Sequence, residues 1–71
     1  MSFSFEGALN YLKGGNKVAR SGWNGPNQYA ELRYSEDFGR KILCLKNSQG
    51  DIVPWVPSMS DLFADDWDVV D

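Results

Sequence analysis

Between Arg20 and Pro26 the chain reads Arg-Ser-Gly-Trp-Asn-Gly-Pro, a large aromatic on a turn between two glycines and beside a cation. This is the composition of a recognition loop, because glycines let a ligand approach the backbone and binding residues concentrate on loops held by a rigid scaffold. The face of Trp23 can stack on a nucleobase for about 1–3 kcal/mol. The Asn24 amide offers donors and acceptor lone pairs to a base edge or a ribose. Arg20 presents a fork of donors that matches a phosphate. Plainer roles are open to the same residues: Trp23 as a lid folded back on the core, Asn24 in an Asx turn, Arg20 as an exposed cation on an edge strand. A second constellation lies at Val53-Pro54-Trp55-Val56-Pro57-Ser58-Met59-Ser60-Asp61-Leu62, where two prolines brace Trp55 ahead of a helix start. Backbone N–H groups at such a start can receive an anion, Ser58 can cap the turn or assist them, and Asp61 can accept from ribose hydroxyls or an adenine amino group.

Missing residue types narrow the chemistry. The 71 residues contain no histidine, which removes the Ser-His-Asp triad, the imidazole base and any His-containing zinc site. Cys44 is the only cysteine, so there is no intrachain disulfide and no metal cluster needing two thiolates from one chain; this fits a reducing compartment. Gly14-Gly15-Asn16-Lys17 lacks the spacing of a phosphate-binding glycine loop. No cofactor is expected. Neither a leader segment nor a membrane span is legible, and the expected location is the cytoplasm. Asp61, Asp65, Asp66, Asp68 and Asp71 could be read as a Mg²⁺ site of a phosphodiesterase, but their spacing matches no EF-hand loop, and a solvated acidic edge is the simpler reading. The first fifty residues sum to a charge of +3 and the rest to −6. An acidic half also permits a protein-binding or DNA-mimic inhibitor, although the basic half argues against a uniformly anionic face.

The elements that must position these residues follow from periodicity. Phe5, Ala8, Leu9 and Leu12 recur at helical spacing, so residues 4–13 read as an amphipathic helix with Ser4 as N-cap and Gly14-Gly15 as stop. Gly7 within it is either a tolerated weak point or suits a close approach by a second helix or backbone across an interface. Residues 17–20 read as a short strand, and residues 29–34 as a half-exposed one with Ala30, Leu32 and Tyr34 on one side. Residues 40–56 read as a hairpin through Asn47-Ser48-Gln49-Gly50. Apolar residues on both faces of 40–46 point to a central strand or an oligomer interface, and Pro54 limits the returning strand to an edge or an interrupted one. Ser58 opens a single helical turn, and residues 66–70 alternate again with Trp67 and Val69 pointing together. The expected fold is α+β: one domain over residues 1–71, with an N-terminal helix on a small antiparallel sheet and a short C-terminal helical turn. A chain this short hides only about 60% of its unfolded surface, so a homo-oligomer is expected to complete the core.

Three stretches carry a family resemblance: Glu6-Gly7-Ala8-Leu9 to Lys17-Val18-Ala19-Arg20, then Gly22-Trp23-Asn24-Gly25, then Ile52-Val53-Pro54-Trp55 to Ser58-x-x-Asp61-Leu62-x-Ala64-x-Asp66-Trp67. Together they cover roughly two thirds of the chain and resemble the second Thoeris anti-defence family of phages and prophages. The resemblance implies a non-enzymatic sponge, usually a homotetramer, that captures cyclic ADP-ribose-type signals and, in some members, cyclic oligonucleotides of the CBASS type. It would work in the host cytoplasm without a membrane or direct nucleic-acid partner. Carried over residue by residue, Trp23 would stack on a base, Asn24 would hydrogen-bond the ligand, Asp61 and Ser58 would line the same pocket with Trp55 nearby, and Arg20 would meet a phosphate. Met59 stands where many relatives carry Gln, and the stretch between Tyr29 and Gln49 is shorter than in longer relatives, so ligand identity is where this chain is expected to differ.

Overall fold

A computed structural model describes residues 2–23 and 27–70. Helix α1 (Phe5–Lys13) is followed by strands β1 (Lys17–Arg20), β2 (Tyr29–Ser35), β3 (Arg40–Lys46) and β4 (Ile52–Pro54). A single-turn helix α2 (Met59–Leu62) and strand β5 (Trp67–Val70) complete the chain. All pairings are antiparallel, and the five strands lie in the order β4-β3-β2-β1-β5. The expected α+β architecture is therefore present, with helix and strand limits within a residue or two of those read from periodicity. No helix among the described residues is long and apolar enough to cross a membrane.

Local chemistry explains the boundaries. Ser4 sits at the N-cap position in extended conformation, but its side chain makes no capping bond. The stop is sharper: Gly15 has φ +95°, a left-handed turn that an L side chain adopts only with strain, and the Asn16 amide donates back to the Tyr11 carbonyl at 3.0 Å. The Asn47–Gly50 turn is closed by the Asn47 side chain, which accepts from the Gln49 and Asp51 amides at 2.9 and 3.0 Å. Pro54 is accommodated because β4 is an edge strand, and the Trp55 amide extends the ladder by donating to Leu43.

Helix α1 packs across β5, β1 and β2, and the core consists of Ala8, Leu12, Val18, Ala30 and Trp67, each essentially inaccessible to water. Directly opposed residues of an antiparallel pair share a face. Val18 opposes Ala30 and Val69, Arg20 opposes Trp67, and Leu32 opposes Leu43, so these residues occupy the helix side. Tyr29 opposes Lys46 and Glu31 opposes Cys44, which places these four on the helix-free side. Cys44 is buried there, outside the main core cluster. Both faces of β3 are thus used, as its apolar pattern required. The close neighbour of Gly7 is the Phe3 side chain, 3.1 Å from where a Cβ would stand, within the chain itself.

Trp67 joins the two ends of the chain. Its backbone exchanges hydrogen bonds with Phe3, and its indole N–H donates to the Asp61 carbonyl at 3.0 Å in a fully buried position. Trp67→Phe keeps an aromatic ring but leaves that carbonyl only the longer bond from the Ala64 amide and opens a small void, and should cost about 2–3 kcal/mol. Urea unfolding followed by circular dichroism measures this; a loss below half a kcal/mol would show that the indole bond is dispensable.

Candidate functional site

Both constellations singled out in the sequence meet at one place. Arg20, at the end of β1, and Trp23, three residues on, face α2 and the segment leading to β5. Arg20 Nη1 donates to Asp61 Oδ1 at 2.8 Å, and Trp23 Nε1 donates to the same oxygen at 3.0 Å. The other oxygen of Asp61 accepts from the Ser58 hydroxyl at 2.9 Å and the Ser58 amide at 3.2 Å, while the Asp61 amide donates to Ser58 Oγ. This is a reciprocal capping box, and it is why a turn of only four residues holds its shape.

Asp66 completes the arrangement from the far side of α2. Its Oδ1 accepts from Arg20 Nε at 2.8 Å, and its Oδ2 accepts from the Gly22 amide at 2.8 Å and the Ser21 hydroxyl at 3.2 Å. A Cβ on Gly22 would stand 2.9 Å from that oxygen, so the glycine lets a carboxylate of the chain itself reach the backbone. Arg20 lies on an interior strand, its side chain 19% exposed, and its fork is held by two carboxylates. In the sequence Asp66 belongs to an acidic edge and to the stretch that carries the family resemblance, with no role of its own. Its role depends on the pairing of β5 beside β1, which brings together residues 46 positions apart.

Trp23 is half-buried. Its ring meets Trp55 and Trp67 edge to face at centroid distances of 5.6 and 5.3 Å, and Trp55 lies 6.4 Å from Trp67. Trp55 also lines an apolar pocket of about 240 Å³ together with Phe38, Leu43 and Val56. Five of the six expected site residues, Arg20, Trp23, Trp55, Ser58 and Asp61, are thus drawn into one neighbourhood. Asn24, the sixth, lies outside the described residues.

The Thoeris anti-defense 2-like domain family matches residues 3–70. A Thoeris anti-defense 2 protein of Bacillus phage SP01 is 40% identical, over 94% of this chain and 93% of its own length. The chain belongs to this family. Its role is accordingly phage anti-defence. The alignment with the SP01 protein runs over 83 positions, longer than this chain, so that Thoeris anti-defense 2 protein has residues without a counterpart here.

The electrostatics of the cluster set its response to acid. Burial opposes ionisation of Asp61, but the bonds from Trp23, Arg20 and Ser58 outweigh it and hold the carboxyl below its usual range. The Arg20 bond does the same for Asp66, helped by the Gly22 amide. Folded values depressed below unfolded ones contribute stability that is complete above the ordinary carboxylate pKa and lost as pH falls through the folded values. Stability should therefore be insensitive to these groups at neutral pH and fall below about pH 4. Asp61→Asn should flatten that acid limb and cost about 2–3 kcal/mol at pH 7, since one cap and one indole bond are weakened. Chemical denaturation at pH 7, 4 and 3 tests both expectations; an unchanged acid limb would remove Asp61 from this role.

Proposed function

We propose that the chain performs its anti-defence role as a sponge: it sequesters a cyclic nucleotide immune signal, of cyclic ADP-ribose or cyclic oligonucleotide type, without cleaving it, in the host cytoplasm. The observation that carries this reading is the convergence of Arg20 and Trp23 with Ser58 and Asp61, beside an apolar pocket lined by Trp55. The tryptophans provide stacking surface of the kind that is worth about 1–3 kcal/mol per base. Capture, not hydrolysis, is favoured by the state of the carboxylates. Both oxygens of Asp61 already accept two donors each, and its depressed pKa makes it a weak base at neutral pH.

The affinity needed is within reach. A cyclic ADP-ribose has about 35 heavy atoms, and about 0.3 kcal/mol per atom gives a dissociation constant of tens of nanomolar. An oligomer is part of the proposal, a tetramer by resemblance. The chain exposes 4,923 Å², against about 4,450 Å² expected for a monomer of its mass. Large apolar side chains contribute to the excess, with Val56 87% and Phe63 77% exposed.

Native mass spectrometry with a panel of cyclic ADP-ribose isomers and cyclic di- and trinucleotides is the direct test. The expected result is an oligomer gaining whole multiples of one ligand mass, with intact ligand recovered on heating. Recovery of cleaved product would replace the sponge with a phosphodiesterase, and silence across the panel would favour a protein-binding inhibitor. Trp23→Phe, which keeps a ring but loses the bond to Asp61 and part of the stacking area, should weaken capture about tenfold with the oligomer mass unchanged. Undiminished capture by this variant would take Trp23 out of the ligand site.

A further inference from the structure

The cluster around Asp61 is poorly suited to meet phosphates by itself. Arg20 is its cation among the described residues and is shared between Asp61 and Asp66, which leaves the group with a formal charge of −1. A cyclic nucleotide signal carries at least two negative charges on its phosphates, and bringing them to that cluster would set like charges together.

The helix-free face of the sheet has the opposite character. The ammonium groups of Lys17 and Lys46 converge on the ring of Tyr29, 4.8 and 5.4 Å from its centre. Neither meets a carboxylate among the described residues, whose ion pairs involve Arg20 and Arg33. Lys46 spends one N–H on the Asn27 carbonyl at 3.1 Å, and its other two remain for an acceptor. Tyr29 and Lys46 line an open cleft of about 550 Å³, walled also by Ser48, Gly50 and Val70. Lys17 does not itself line the cleft, but it is the register partner of Val70 and its ammonium lies over the ring of Tyr29, both of which do. Two cations that form no ion pair among the described residues, an aromatic ring in contact with both and a serine hydroxyl at the wall form a receptor for a phosphorylated group.

We propose that this cleft is the anion subsite of the captured nucleotide, taking its phosphate or diphosphate between Lys17 and Lys46. The inference rests on the sponge reading and deepens it, dividing the ligand between an aromatic end at Trp23 and Trp55 and a phosphate end at Lys46. The two places are joined by the recognition loop itself. Trp23 and Asn27 are four residues apart, so their Cα atoms stand at most about 14 Å from each other. Asn27, at φ +64°, turns its carbonyl to Lys46 and so ties the phosphate end to the loop.

The test uses inorganic pyrophosphate followed by ³¹P NMR, alongside the nucleotide panel in native mass spectrometry. Wild-type protein should shift and broaden the pyrophosphate resonance saturably, with binding weakened by added salt. Lys46→Gln should weaken both pyrophosphate and nucleotide binding about tenfold, the loss of one charge-assisted hydrogen bond. Lys17→Gln/Lys46→Gln should abolish both, and Lys46→Arg should restore them. Lys41→Gln, on an exposed lysine of the helix side, serves as the charge control and should bind as wild type. Because Lys46 also holds Asn27, melting curves of each variant separate loss of the subsite from loss of the fold. Equal binding by wild type and the double variant would overturn the subsite while leaving the sponge standing. Failure of every nucleotide with pyrophosphate still bound at the lysines would overturn the sponge, and with it the cleft's role toward a nucleotide, leaving a plain anion site; absence of pyrophosphate binding to wild type would overturn the subsite.

Discussion

One carboxylate organises this small domain. Asp61 receives the Arg20 guanidinium and the Trp23 indole on one oxygen and the Ser58 hydroxyl and amide on the other, while its backbone carbonyl accepts from Trp67. Those bonds connect β1, the recognition loop, α2 and β5. A helical turn of four residues has almost no stability of its own, since nucleation costs more than its few hydrogen bonds return. It persists because its N-terminal acid is simultaneously a cap and the acceptor for two groups outside the helix. Asp66 then locks Arg20 from the other side, so the guanidinium is fixed by two planar acceptors and the backbone after it is set by the Gly22 bond.

Periodicity made most of the scaffold legible. The i, i+3, i+4 pattern located α1, alternation located β2 and β5, and apolar residues on both faces of β3 placed it inside the sheet. Of the two places Pro54 allowed β4, an edge or an interruption, the sheet takes the edge. What escaped was the partner of β1: β5 returns from the far end of the chain to cover it, so Arg20 is interior where an edge position was one reading. That pairing depends on tertiary packing of Trp67 against α1 and β1, which no local pattern encodes. The same limit applied to the site. Trp23, Ser58 and Asp61 stood out by type and spacing, but that Arg20 would meet two carboxylates, and that Asp66 would leave the acidic edge to become one of them, required the register Arg20↔Trp67.

The segregation of charge along the sequence also acquires a spatial sense. The basic half supplies both the Arg20 fork, neutralised by the acidic C-terminal half, and the Lys17–Tyr29–Lys46 group, whose lysines form no ion pair among the described residues. Acidic residues near Arg20 are therefore structural complements that cement the two ends of the chain. The lysines on the helix-free face are held by the Tyr29 ring and, for Lys46, the Asn27 carbonyl, neutral partners that leave their charge in place.

Saturation of Asp61 bears directly on how an anti-defence protein of this kind can hold its ligand. A ribose hydroxyl or adenine amino group that approached Asp61 would have to displace a bond already made by Trp23, Arg20 or Ser58, exchanging one hydrogen bond for another with little net gain. On the proposed function the carboxylate therefore serves best as a positioning residue, presenting the indole and the loop in one fixed orientation. Affinity then has to come from surfaces that are still unsatisfied: the accessible part of Trp23, the apolar pocket beside Trp55, and the ammonium groups over Tyr29. An aromatic ligand bearing phosphates matches that inventory, because stacking and charge neutralisation leave the internal hydrogen bonds intact. Such a site is preorganised before binding and loses little conformational entropy when it fills, which suits the proposed capture of a signal without cleavage.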